Sequence, residues 1–161
     1  MGPRFMKRCR DLLWGALIAA CLGSLPASAG EAGLSQRAAG VEAYIGFVPA
    51  EITRGHAPTK PDTRMHGGPP RGRHQYHLVA AVFDANTGGR ISDASVTAQV
   101  SGLGLVGPTK ALEPMSIAGT ITYGAYFELP GFDRYKIVLT IKRAGATKPV
   151  ALNFTYEHRN P

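Results

Sequence analysis

From Gln75 onward the chain is a succession of short runs, "QYHLVAAVFDA", "ASVTAQVSGLGLV", "TITYGAYFELP", "DRYKIVLTIK" and "VALNFTYEH". Each is rich in Val, Ile, Thr, Tyr and Phe and is closed by Gly, Pro, Asn or Asp. A chain punctuated in this way satisfies its backbone by pairing strands across turns. Between Ala94 and Val100 the pattern alternates, with Ala94, Val96, Ala98 and Val100 on one face and Ser95, Thr97 and Gln99 on the other. That is the mark of a half-exposed antiparallel strand. The segments "DANTGG" and "RAGAT" carry the turn residues. No stretch past the leader shows a 3.6-residue period with caps at both ends. The expected fold is all-β, an immunoglobulin-like antiparallel β-sandwich of about 6–8 strands. It occupies 41–161 as one domain, without an internal repeat.

Upstream of these runs the organisation changes. Residues 30–40, "GEAGLSQRAAG", read as a flexible lead-in, and Val41 to Ile52 is the first strand candidate, interrupted by Gly46 and closed by Pro49. Residues 53–73 are rich in Pro, Gly, Lys and Arg, with Asp62 as their single acid. They form a long irregular loop of a kind uncommon in compact domains unless it is functional or disordered.

Residues 1–29 have the three parts of a secretory signal: the basic stretch "MGPRFMKRCRD", an apolar run from Leu12 to Leu25, and Ala27-Ser28-Ala29 as an exit site. Export to the periplasm is expected, with cleavage after Ala29. The box Ile18-Ala19-Ala20-Cys21 offers the alternative of lipoprotein anchoring through Cys21. Cys9 and Cys21 are the only cysteines, so cleavage after Ala29 leaves a domain without thiols. A disulfide scaffold, a CxxC redox site, a cysteine nucleophile and a thiolate zinc site are then excluded. The formal charge of +7 also narrows, because Arg4, Lys7, Arg8 and Arg10 against Asp11 place +3 in the leader and leave +4 for the domain.

The common catalytic signatures are missing. There is no G-x-S-x-G elbow, no phosphate-cradling P-loop and no H-E-x-x-H, and the acids are scattered singly. "GLGLVG" at 102–107 lacks the strand-turn-helix unit that a dinucleotide loop needs. A non-enzymatic chain is expected. What remains is a set of soft and borderline donors: His56, Met65, His66 and His74 in the loop or at its end, His77 on the strand that follows, Met115 between two strands, and His158 at the close of the last run. Imidazole suits copper, iron, nickel and zinc, and thioether sulfur selects Cu(I). Each of these residues also has an ordinary reading: solvated loop histidines, a methionine filling a core gap, a histidine in a tail. The +4 charge and the basic loop are compatible with an anionic partner or a membrane surface, but the export signal and the missing aromatic-basic interleaving argue against nucleic acid.

The segment "LEPMSIAGTITYGAYFELPGFDRYKIVLTI" (Leu112 to Ile141) resembles the periplasmic iron-transport-associated proteins, small immunoglobulin-like β-sandwiches that bind copper and iron beside ferrous-iron permeases. The residues that carry the resemblance are Pro114-Met115, Tyr123-Gly124-Ala125, Gly131 and Tyr135-Lys136-Ile137. More weakly it extends over 41–158, with "YHLVAAVFD" in the place of the family's early histidine strand. The family pattern implies a metal held by an early His, an acid two positions on, the Met of the Pro-Met pair, a His before Tyr-Gly-Ala, and one further His. His77 and Met115 match, whereas the second and fourth positions are Val79 and Thr122. "FDANTGGRISDASV" also resembles exported modules related to copper-resistance and copper-chaperone-like domains.

These readings converge on one expectation. The chain is a periplasmic transition-metal-binding module for copper or iron, with His77, Met115, His66, His74 and His158 as candidate ligands. Expected partners are an inner-membrane metal permease or another envelope protein, or a second copy in a homodimer. The alternative is a metal-free structural or partner-binding sandwich of an envelope assembly.

Overall fold

A computed structural model describes residues 34–54, 70–102, 104–131 and 133–159. His56, Met65 and His66 lie outside these residues, as does the leader.

Among the described residues eight strands carry the fold: β1 (Ser35–Ala38), β2 (Val41–Pro49), β3 (Gln75–Asp84), β4 (Ser95–Ser101), β5 (Thr109–Ile117), β6 (Thr120–Glu128), β7 (Arg134–Lys142) and β8 (Val150–Glu157). A single five-residue helix, α1 (Ala50–Arg54), follows β2 among the described residues. The strands run in the order β1-β2-β3-β6-β5-β4-β7-β8, with every ladder antiparallel. β1 also contacts β8, so the row curls into a nearly closed, barrel-like sandwich.

The expected alternation explains which face each strand buries. In β3, Leu78, Ala80 and Val82 are fully buried, and in β7, Ile137, Leu139 and Ile141 are; Val96 and Ala98 of β4 and Leu152 and Phe154 of β8 complete the same core. Tyr123 of β6 lies among them with 1% of its surface exposed. Its hydroxyl is not stranded there: it donates to the Ile91 carbonyl (3.1 Å) and accepts from the Ala94 N–H (3.0 Å). A buried tyrosine needs such partners. Burial also raises the Tyr123 pKa above the ordinary phenol value.

Several segments depart from the sequence reading, among them the Val41 to Ile52 strand candidate, which ends at Pro49 and continues as α1. Ser35–Ala38, expected to be a flexible lead-in, pairs with β2 as a short exposed edge strand. Met115, expected between two strands, lies inside β5. Lys110, Glu113 and Pro114 lower the apparent strand propensity of that segment, and a proline is tolerated only where a strand has an open flank. The register supplies that flank. Thr109 to Leu112 pair with β4, whereas Glu113 to Ile117 pair only with β6. β5 thus changes sheets at Leu112–Glu113, and Pro114 falls where it has left β4.

Tight turns join the ladders. Ala39-Gly40 and Ala118-Gly119 are two-residue connections with positive φ at both positions, as a right-twisted hairpin requires. In the "DANTGG" turn, Asp84 Oδ1 accepts from the N–H groups of Asn86 and Thr87 (both 3.0 Å). Its Oδ2 meets Arg143 at 2.8 Å, which ties this turn to the one between β7 and β8. The backbone donors and the guanidinium lower the Asp84 pKa to about 2.

Candidate metal centre

Residues of β3, β6 and β5 with parity opposite to the core face outward: His77 and Val79, then Thr122, Gly124 and Tyr126, then Glu113 and Met115. Directly opposed residues of an antiparallel ladder share a face. His77 is opposite Tyr126, Val79 and Glu113 flank Gly124 from its two sides, and Met115 is opposite Thr122. Although this face turns away from the core, His77, Met115 and Thr122 are 8%, 4% and 7% exposed.

Gly124 is what allows the face to close. A Cβ at this position would lie 2.7 Å from His77 Nε2 and 3.0 Å from His77 Cε1, with the terminal methyl of Met115 closer still. The imidazole and the thioether arm therefore occupy the space that any other residue would fill. Both reach the same point from opposite strands, which puts them within about 5 Å of one another. The Tyr126 ring covers the imidazole, with centroids 4.6 Å apart and planes tilted by 33°. Thr122 donates its hydroxyl to the Met115 carbonyl at 3.4 Å.

The other candidate ligands fare differently. His158 is buried, but on the far side of β3. Its Nδ1 lies 2.8 Å from the Gly131 carbonyl and its Nε2 lies 2.8 Å from the Tyr76 hydroxyl. A carbonyl only accepts, so Nδ1 carries a proton. Tyr76 packs against the core and is adjacent in sequence to His77, so their side chains leave the strand on opposite faces. The structure therefore does not bring His158 to His77 and Met115. His74 is exposed in the turn before β3, where its carbonyl accepts from the Leu129 N–H at 2.8 Å. Among the described residues no group of three or more His, Cys, Asp or Glu side chains is arranged to hold a metal ion.

The residues fit a metal in a limited way. A thioether and a neutral imidazole form a soft donor pair of the kind that Cu(I) favours, and Gly124 leaves them a cradle. Val79 and Thr122 offer no strong donor at the two neighbouring positions. Sequence reasoning named His77 and Met115 as donors, and Gly124 only as part of the Tyr-Gly-Ala pattern, without its role as their cradle. The available signal was a lone glycine inside a strand pattern, which marks a close approach by another group.

No family model matches the chain, and no curated protein matches it by sequence. Solved structures do share its fold. A copper-bound variant of FetP from uropathogenic Escherichia coli superposes with a TM-score of 0.60 and 16% identity, covering 81% of this chain and 97% of that one. A copper-bound variant of P19 from Campylobacter jejuni gives 0.56 and 11% over 78% and 94%. A DUF4426 family protein from Pseudomonas aeruginosa gives 0.57 and 17% over 80% and 95%. At these identities the likeness is one of fold. The all-β sandwich and the resemblance carried by Leu112 to Ile141 agree with it.

Proposed function

We propose that this chain is a non-enzymatic, exported module that binds copper or iron and assists metal transport or delivery. The observation that carries the reading is the convergence of the His77 imidazole and the Met115 side chain over the bare Cα of Gly124. Two structures of this fold, from FetP and P19, are copper-bound, and another structure of FetP comes from protein expressed in the periplasm. Both donors stand on ladder strands, so the pair is positioned before metal arrives. A bound ion would supply Lewis acidity or a one-electron couple. The residues of the chain hold the two donors together, cover the imidazole with Tyr126, and keep the thioether out of water.

Calorimetric and chelator-competition titration of the thiol-free chain with Cu(I), Cu(II), Fe(II) and Zn(II) tests the reading. Binding of a copper or iron ion that His77→Ala and Met115→Leu each weaken is expected. An absence of binding by all four ions overturns it, as does an unchanged affinity in both variants.

A further inference from the structure

The row of residues across Gly124 places Glu113 one strand away from the point where His77 and Met115 meet. Gly124 has Val79 as its ladder partner on β3 and Glu113 as its ladder partner on β5. Directly opposed residues point to one face, and Glu113 shares that face with Met115, two residues on along the same strand. Neighbouring strands lie about 4.7–4.9 Å apart. The Glu113 backbone is therefore one strand spacing from the point over which the imidazole and thioether converge.

The environment of Glu113 also suits a ligand. Its side chain is exposed, and it lines an open cleft of about 440 Å³ with Gln75, Lys110 and Tyr126. Tyr126, whose ring covers His77, is among the residues that line this cleft. The Lys110 ammonium in this cleft donates to the Tyr126 carbonyl at 2.7 Å and sits 5.1 Å from the Phe127 ring centroid.

We propose that Glu113 supplies the oxygen donor of the site, from the β5 side of Gly124, and that it extends a soft His–Met pair to divalent copper. The inference rests on the reading of the preceding subsection. Thioether and imidazole alone favour the cuprous ion, whereas a carboxylate favours the harder cupric ion. Glu113 thereby takes over from the opposite flank a role that Val79 cannot fill.

The test uses the chain from Gly30 onward, which has no cysteine, and its Glu113→Gln variant, titrated in parallel with Cu(II) and, under reducing conditions, with Cu(I) against a chromophoric chelator. Electron paramagnetic resonance is recorded on the Cu(II) samples. Glu113→Gln is expected to weaken Cu(II) binding roughly tenfold or more, to change the Cu(II) hyperfine pattern, and to leave Cu(I) affinity unchanged. Equal Cu(II) affinity and an identical spectrum in the two proteins overturn the role of Glu113 while leaving the His77–Met115 reading intact. Equal losses for both ions overturn it as well, by marking a structural effect. Failure of the wild-type chain to bind either copper ion overturns the role of Glu113, and the His77–Met115 reading falls with it when iron does not bind either. Glu113 is exposed and the substitution conserves shape, so matching thermal unfolding of the two proteins checks that folding is not the cause.

Discussion

His158 Nε2 and the Tyr76 hydroxyl, 82 residues apart in sequence, are 2.8 Å apart in space and hold the end of β8 against the start of β3. The same ring bonds the Gly131 carbonyl, and the His158 N–H donates to the Asp133 carbonyl at 2.9 Å. His158 is therefore a fastener of the sandwich end.

His158→Ala removes two part-buried hydrogen bonds, and destabilisation of about 1–3 kcal/mol is expected. Urea unfolding should show a lower midpoint with an unchanged slope. Copper affinity below the midpoint should equal that of wild type. A loss of affinity without a loss of stability would return His158 to the metal site.

Gly124→Ala tests the cradle. Its φ is not in the left-handed region, so the added methyl acts through volume alone, against His77 and Met115. Overpacking of this kind costs about 1–3 kcal/mol. The expected result is a lower unfolding midpoint together with weakened metal binding, since both donors must move aside. Unchanged affinity would show that the metal does not sit over this residue.

Asp84 gives the fold an acid-sensitive clasp. Its carboxyl titrates at about 2 when folded, against 3.8 for the free group, because the Thr87 and Asn86 N–H groups and Arg143 stabilise the anion. A lowered folded pKa contributes stability that is fully present above about 4 and is lost as pH falls towards 2. Asp84→Asn keeps an acceptor for the two N–H groups but has no charge for Arg143. Thermal unfolding measured from pH 2 to 6 should show a flatter acid limb in the variant than in wild type.

The Ala118-Gly119 hairpin connection holds a non-glycine residue at φ 49°. Alanine is strained there by roughly 1–2 kcal/mol, whereas asparagine is favoured in this type of turn. Ala118→Asn is expected to raise stability by about 0.5–1 kcal/mol, read as a higher urea midpoint with no change in metal affinity.

Much of the fold was legible because the alternation of Ala94 to Val100 and the turn chemistry of Asp84 to Gly89 are local signals. β5 was not legible, because Pro114 and the charged Lys110 and Glu113 oppose strand formation and the open flank that tolerates them arises from the exchange of partners between β4 and β6. The donor pair could be named residue by residue, but its convergence depends on the register of three strands. His158 shows the reverse case. A histidine three residues from the end of the sequence carries no sign that its two ring nitrogens are committed to Gly131 and Tyr76.

The exchange of partners along β5 has a mechanical consequence. Leu112 stands opposite Val96 in one sheet, and three residues later Met115 stands opposite Thr122 in the other. A strand that belongs to both halves cannot detach from one and stay with the other. The outward face that carries Met115 and the apolar body that holds Leu112 therefore come apart in one cooperative event. An ion bound on that outer face is thereby coupled to the melting of the whole molecule.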